Sequence, residues 1–460
     1  MWRKGYEKEV SKKMVIANHY KKTENCFTGV IDRYGYALVP GSKEGLILLD
    51  LRSKELLDDL SELKDEKDRQ RFQLLLKKEL IQFTDKTVPK PIMDRKSIKS
   101  MSTWLHIDNN CNLGCSYCYI SGMNKEFMSI QVADSYIDKL EQTVEKHQLT
   151  SVTIRLAGGE PTLRMKLITH ICEQIQKRPL IKKIHTNLIL ITNGTVVDSK
   201  LIDLIKYHSI GVCISIDGLG EWHDKTRPFR NSGKKSSDKI FKNLNTYVEN
   251  GIKPNILTTI TEENILGIPE LSRFLIDRNL SFRYGLYRDN IGGYKAYESF
   301  LKRASFVLND CHDYYIEAIK NHKTTSNYQL CDIRLSKKPS LRTCNIGHSG
   351  VTVNHDGEVF LCQSIMGKKP IGNIKDKETL LQMAWRQKTY PELVTKNVLD
   401  YEGCKDCQWS LICAGGCPVV SSASNGSAAS ASPYCEIYKA MIPILIEIKA
   451  LRLIQTSLNL

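Results

Sequence analysis

No run of about eighteen apolar residues occurs in this 460-residue chain, which excludes a membrane-spanning helix of ordinary length and predicts no membrane partner. The opening residues, Met1 through Glu9, also lack the apolar stretch of a secretory signal, so a cytoplasmic location is expected. Acidic residues are in deficit, 51 against 66 Lys and Arg, for a formal charge of +15. The lysine pairs Lys182/Lys183, Lys234/Lys235, Lys337/Lys338 and Lys368/Lys369 are nevertheless scattered and have no interleaved aromatics. That pattern describes solvated faces, and no nucleic-acid partner is expected. Internal repeats of useful length are missing, as are Ser-His-Asp, phosphate-loop and zinc-protease signatures. His106, His170, His185, His223, His348 and His355 follow no ligand pattern and read as structural or surface residues.

Cysteine is what the chain has in quantity: 15 residues, of which ten fall into two spaced sets. In a reducing compartment such sets bind metal and do not form a disulfide framework. The first is Cys111, Cys115 and Cys118, in a loop containing Asn and Gly that follows an apolar run near Trp104. Three thiolates are one ligand short of the four usual for a 4Fe-4S cluster and leave one iron open. The second set is Cys344, Cys362, Cys404, Cys407, Cys413, Cys417 and Cys435. Cys-x2-Cys pairs also bind zinc, so the second set by itself leaves zinc and iron both open. Cys26, Cys172, Cys213 and Cys311 sit in apolar or helical surroundings and read as small core residues.

Between the two sets, apolar strand-like runs over 151–157, 188–191, 211–216, 255–260 and 281–286 alternate with helical patterns over 131–146, 163–176, 239–250 and 268–278. With the strand near Trp104 this makes six strands in parallel α/β architecture. Polar residues cluster at the C-terminal ends of these strands: Gly158, Gly159, Glu160 and Pro161; Thr192, Asn193 and Gly194; Ser215, Asp217 and Gly218, with Arg227 soon after. Such placement suits the mouth of a barrel.

The Cys-x3-Cys-x2-Cys triplet, with Tyr117 before its last cysteine and followed by these segments in order, resembles the radical SAM (S-adenosylmethionine) superfamily. The resemblance implies a partial (β/α)6 barrel, open on one side, over 100–310. It also implies a 4Fe-4S cluster on Cys111, Cys115 and Cys118, the catalytic residues, with SAM completing its coordination. Tyr117, Gly158, Gly159, Glu160, Pro161, Asn193, Ser215, Asp217 and Arg227 are the cofactor-binding positions it implies. Tyr287 and Arg288 are expected to line the substrate pocket.

Twelve residues separate Cys344 from Gly357, and four separate Gly357 from Cys362; Asp356 and Gly357 between apolar runs read as a hairpin turn. All seven cysteines of the second set, with Gly357, resemble the SPASM extension of radical SAM enzymes. A SPASM domain over 331–437 is implied, with Cys404, Cys407, Cys413 and Cys435 on a distal auxiliary cluster and Cys344, Cys362 and Cys417 on an inner one. Cys331 is the candidate fourth ligand of the inner cluster. The implied cofactors are three 4Fe-4S clusters, one that binds SAM and two auxiliary, plus S-adenosyl-L-methionine. Each oxidised cluster with four thiolates carries a charge of about −2, which offsets part of the formal charge.

Residues 1–95 read as an N-terminal α+β module, with strands over 30–39 and 45–50 separated by Pro40 and Gly41 and helices over 53–63 and 66–79. It resembles the winged-helix-like element that binds leader peptides in peptide-modifying radical SAM enzymes; a module that covers the barrel is the alternative. The stretch 419–433 reads as a flexible loop of small residues, and a C-terminal helix is expected over 438–460.

The function implied is a radical SAM/SPASM maturase that cross-links a ribosomally made precursor peptide, through a carbon–carbon cyclophane or a thioether. Its partners are that peptide and an external electron donor such as flavodoxin or ferredoxin. One alternative is an anaerobic sulfatase maturase making formylglycine, but those enzymes carry an aspartate where this chain has Gln363. The other is an iron-sulfur electron-transfer protein without SAM chemistry.

Overall fold

The computed structural model describes residues 19–40, 42, 44–61, 63–85, 95–288, 297–335, 340–386, 388–394 and 397–457. The Lys337/Lys338 pair, Gly41 and the opening residues lie outside the described residues.

The N-terminal unit contains β1 (Tyr20–Lys22), β2 (Phe27–Ile31), β3 (Tyr34–Leu38), β4 (Leu46–Asp50) and β5 (Ile81–Phe83). β2, β3 and β4 form an antiparallel sheet, and β1 pairs with β5. The strand expected over 30–39 is instead the turn and second arm of a hairpin. Asp32 adopts φ 53°, which its short polar side chain tolerates, so Ile31 pairs with Tyr34. Helices Leu51–Asp58 and Glu66–Lys77 start at Asp50 and Asp65, whose carboxylates accept from backbone N–H groups in the first turn. Leu56, Leu57, Phe72 and Leu75 bury this unit's own core. Phe27 stacks on Trp409 with ring centroids 4.2 Å apart, and the helix Cys435–Ser457 packs against β2 and β4. The module is thereby fixed to the cysteine-rich C-terminal region.

The barrel strands are β6 (Ser100–His106), β7 (Ser151–Ala157), β8 (His185–Thr192), β9 (Gly211–Ser215), β10 (Asn255–Ile260) and β11 (Phe282–Leu286), all parallel and adjacent in sequence order. Helices Ile130–His147, Met165–Lys177, Ser199–Tyr207, Ser237–Glu249 and Ile268–Asp277 connect or follow them. Each strand turns one row of apolar side chains toward the helices: Val152, Ile154 and Leu156 in β7, Val212 and Ile214 in β9, Phe282, Tyr284 and Leu286 in β11. The alternate residues face the hollow of the barrel.

Two further parallel strands extend the sheet at its edges. β12 (Tyr328–Leu330) pairs with β11, and β13 (Gly350–Val353) pairs with β6. β13 forms the expected hairpin with β14 (Glu358–Phe360), and β15 (Gly372–Asn373) completes a ten-stranded sheet. The hairpin turn has Gly357 at φ 81°, a conformation natural to glycine. His355 beside it approaches Glu126 at 2.9 Å and Asp356 at 3.1 Å, which ties the hairpin to the loop after β6.

The stretch 419–433 departs from the flexible loop expected. Pro418–Asn425 is a helix, with Pro418 in its first turn and Gly426 ending it at φ 72°. Val419, Val420 and Ser421 are buried, and that burial outweighs the weak helix propensity of serine. The C-terminal helix starts at Cys435, so that cysteine is held on regular structure.

Candidate cluster and cofactor site

The cysteine loop leaves β6 and is seated by the two glycines after β7. A Cβ on Gly158 would lie 2.5 Å from the Asp108 carbonyl oxygen, and one on Gly159 2.1 Å from that of Asn110. Only glycine lets the loop that carries Cys111 cross the end of β7 this closely. The Gly159 N–H donates to Asp108 O at 2.5 Å and the Glu160 N–H to Asn110 O at 2.8 Å. The Asp108 carboxylate accepts from Asn110 N and Nδ2 and from Arg164 Nε at 2.7 Å.

Glu160 is fully buried. Its Oε1 accepts from Thr162 N, Thr162 Oγ1 and Thr192 Oγ1, and its Oε2 from Asn193 N at 2.6 Å. Burial pushes its carboxyl above the ordinary value while these four bonds pull it back. The residue locks the ends of β7 and β8 together. Asn193 then turns its amide onto the first cysteine, with Nδ2 3.6 Å from Cys111 Sγ and 2.8 Å from Asn112 Oδ1. Pro161 opens the short 3-10 turn Pro161–Arg164.

A second wall comes from β9 and the segment after it. Asp217, with no exposed surface, accepts from Arg227 Nε at 2.6 Å, Thr226 Oγ1 at 3.2 Å and Thr259 N at 2.9 Å, and also from the Tyr117 hydroxyl. Arg227 Nη1 lies 3.7 Å from Cys115 Sγ, and its guanidinium sits 5.4 Å from the Tyr117 ring centre. Burial opposes the Arg227 charge, but the Asp217 carboxylate holds its pKa well above the ordinary value. Ser215, the last residue of β9, faces the hollow and is half-buried. The loop itself is stitched to this wall by Gly114 N to Pro228 O, Ser116 N to Thr226 O and Arg230 N to Asn112 O. Tyr117 also reaches across to Tyr287 beyond β11, with ring centroids 6.5 Å apart.

Burial, opposed by Arg227 and reinforced by the neighbouring Cys118 and Cys111 sulfurs and Asp217, raises the Cys115 pKa to about 12. N–H donors from Leu113, Asn193 and Arg227 are aimed at the Cys111 and Cys115 sulfurs. Converging thiols with N–H groups directed at sulfur suit an iron-sulfur cluster, in which hydrogen bonds to thiolate sulfur tune the potential.

The C-terminal cysteines divide into two groups in space. Cys404, Cys407, Cys413 and Cys435 line one cavity together with Trp409, Ser410 and Lys439. Cys344, Cys362 and Cys417 form the other group: burial, then Cys417 and Cys362, raise the Cys344 pKa to about 12. Cys331 follows β12, its N–H donating to Tyr284 O at 2.7 Å. Arg288 lies among these sulfurs, held well above its ordinary pKa first by Asp332 and then by Cys417 and Cys331. Arg288 Nη2 is 2.8 Å from Asp332 Oδ1, and Tyr438 Oη donates to Asp332 Oδ2 at 2.9 Å.

The pattern of sequence motifs does not point to Tyr119. Its ring lies beside His106, with Oη 3.4 Å from Nδ1, and its pKa is raised by burial, then by Cys118, with Cys362 contributing. With Cys118 it packs against the small cluster of Ile120, Phe360 and Met366, the last two on the segment that carries Cys362. Thr226, Asp108 and Arg164 were equally silent in sequence, because each acts through contacts with residues far along the chain. Of the remaining cysteines, Cys172 and Cys311 are buried as expected, while Cys213 is half-buried and faces the barrel hollow.

Residues 106–275 match the radical SAM superfamily, and residues 344–408 match the iron-sulfur cluster-binding SPASM domain. The chain is a radical SAM protein with a SPASM domain. A cysteine-type anaerobic sulfatase-maturating enzyme of Clostridium perfringens is 24% identical over 345 residues, 72% of this chain and 92% of that protein. Among solved structures, anSMEcpe with bound AdoMet and the Cp18Cys peptide superposes with a TM-score of 0.64 at 21% identity, over 77% of this chain and 99% of the other. Streptococcus suis SuiB bound to its precursor peptide SuiA gives 0.55 at 17% identity, over 91% of this chain and all of SuiB (100%). This radical SAM/SPASM protein thus shares the mixed α/β fold of both, and SAM and 4Fe-4S binding follow from its two domains. Among the described residues no helix is long and apolar enough to cross a membrane.

Proposed function

We propose that this radical SAM/SPASM protein is a peptide maturase that installs an oxidative cross-link, a carbon–carbon cyclophane or a thioether, in a ribosomally made precursor. The observation that carries this reading is Gln363. Its Oε1 sits 3.4 Å from Cys362 Sγ, at the position where the resemblance to sulfatase maturases calls for a catalytic aspartate. A neutral amide cannot act as the general base that formylglycine formation needs. The N-terminal sheet unit supports the same reading, since the SuiB fold, solved with a precursor peptide, spans more of this chain than the sulfatase-maturase fold does. In this proposal the unit takes the leader segment along a sheet edge.

When bound, SAM and the reduced cluster on Cys111, Cys115 and Cys118 supply a 5'-deoxyadenosyl radical that removes an unactivated hydrogen from the substrate. Tyr117, Asp217, Thr226 and Arg227 fix the wall of the SAM pocket as one hydrogen-bonded unit, while Gly158, Gly159, Glu160 and Asn193 fix the opposite wall. Cross-linking sheds one electron more than hydrogen abstraction removes. Cys404, Cys407, Cys413 and Cys435, and Cys344, Cys362, Cys417 and Cys331, would hold the two clusters that accept it, with a flavodoxin or ferredoxin as the external donor.

The test is anaerobic turnover of the reconstituted, reduced protein with SAM and the short peptide encoded beside it. The expected result is 5'-deoxyadenosine together with a peptide lighter by two hydrogens. Formylglycine on a cysteine- or serine-type sulfatase peptide, with the encoded peptide unchanged, identifies a sulfatase maturase instead. No SAM cleavage at all leaves an electron-transfer protein.

A further inference from the structure

Two arginines face the hollow of the barrel and find no acid there. Arg155 is in β7, on the face opposite the helix-packed Val152, Ile154 and Leu156; Arg283 is in β11, opposite Phe282, Tyr284 and Leu286. Arg155 Nη1 donates to Ser102 Oγ of β6, a neutral hydroxyl. Arg283 is exposed, and among the described residues neither guanidinium meets a carboxylate. On a flat sheet β7 and β11 would lie about 19 Å apart, four strand spacings. The curl of the barrel brings the two cations close enough that, after burial, the Arg283 charge is the next largest influence lowering the Arg155 pKa. Cys213 of β9 completes the group: burial raises its pKa, while Arg283 and Arg155 pull it down.

Arg155 is half-buried, and a charge held there beside a second cation without a counter-charge is costly; proteins normally pair it. The other arginines of the site are paired, the buried Arg227 with Asp217 and the half-buried Arg288 with Asp332. The hollow also adjoins both the SAM pocket, through Ser215 of β9, and the inner auxiliary group: Cys331 Sγ is 3.3 Å from where a Cβ on Gly285 of β11 would stand.

We propose that Arg155 and Arg283 form an anion subsite inside the barrel that binds a carboxylate of the peptide substrate, and so select an acidic residue or the free C-terminus near the site of modification. The subsite rests on the peptide-maturase reading for its ligand. The carboxylate supplies the missing counter-charge, and a planar guanidinium pair grips it with directional hydrogen bonds.

Cys213 reports on this subsite without any turnover. In the cluster-loaded full chain, its alkylation by iodoacetate, an anion, and by iodoacetamide, its neutral analogue, is followed by mass mapping. In both cases the Cys213 sulfur displaces iodide and the thiol proton passes to solvent. The iodoacetate-to-iodoacetamide rate ratio is expected to fall about five-fold or more in Arg155→Gln/Arg283→Gln. The Arg155→Lys/Arg283→Lys protein should retain it, because charge is kept. Should the double glutamine variant not fold, the exposed single Arg283→Gln carries the same test. An unchanged ratio in the glutamine variants overturns the subsite, whatever the enzyme's reaction.

The ligand is then identified by protection of Cys213 in the presence of saturating SAM. Three probes are compared: a tetrapeptide amide with an internal glutamate, its glutamine counterpart, and the glutamine peptide with a free C-terminal carboxylate. Protection by the first identifies a side-chain acid, and by the third the C-terminus. Equal protection by all three, or loss of reagent selectivity with SAM alone, overturns the assignment to a peptide carboxylate. A failed turnover assay beside a positive alkylation result would sink the peptide-maturase reading and leave the anion subsite standing.

Discussion

The Arg227 guanidinium joins Asp217 to Cys115: Nε is 2.6 Å from the buried carboxylate and Nη1 is 3.7 Å from the sulfur. One side chain thus neutralises the acid that orders Tyr117 and offers an N–H to a cluster ligand.

Arg227→Ala removes the partner of a buried carboxylate, a loss of about 3–5 kcal/mol when one member of a buried pair is deleted. The SAM cleavage rate is expected to fall at least about tenfold, and Arg227→Lys to recover only part of it, since an ammonium cannot reach both Asp217 and Cys115 in the same geometry. The 5'-deoxyadenosine formation rate and the thermal unfolding midpoint of the two variants check this.

Gly159→Ala places a methyl 2.1 Å from the Asn110 carbonyl oxygen and 3.0 Å from Cys111 Cβ. The loop must shift as a whole, because both contacts are to groups with no freedom to rotate away. Iron content should drop by about four per chain while the auxiliary signals persist. Iron and sulfide analysis with electron paramagnetic resonance reads both.

Cys331→Ala tests the proposed fourth ligand of the inner cluster. An altered auxiliary spectrum with SAM cleavage retained is expected, and an unaltered one removes Cys331 from the ligand set. Arg288→Gln next to it removes a cation from beside Cys417 and Cys331. The midpoint potential of that cluster should move to more negative values by tens of millivolts, on the scale of about 59 mV for 1.4 kcal/mol in a one-electron couple.

Acid stability should carry the mark of His312. Its ring is buried against Tyr328, with Nε2 3.0 Å from the hydroxyl, and burial lowers its pKa from the ordinary 6.5 to about 3. Between those two values the unfolded chain holds a proton there and the native chain does not. Stability from this group is therefore complete above pH 6.5 and is lost as pH falls toward 3, by at most about 1.4 kcal/mol per pH unit. His312→Gln is expected to flatten the acid limb of a pH series of anaerobic denaturation midpoints.

The sequence by itself determined the chemistry-bearing set: the Cys111 triplet, the seven later cysteines, the glycines and acids at the strand ends, and the six parallel strands with their helices. These are local patterns, set by thiol spacing, strand alternation and turn chemistry, and each is written in a short stretch of chain. Tertiary structure alone decided which groups meet. Asp217 meets Tyr117 across the curled sheet, Tyr119 feels the charge of Cys362 as well as that of its neighbour Cys118, and Arg155 and Arg283 face one hollow from strands far apart in sequence. It also decided that β12 and β13 extend the sheet at both edges, since short strands take their place from the edge they pair with. The serine-rich stretch became a helix for a similar reason: burial of Val419 and Val420 overrode a propensity that, read locally, favours a loop.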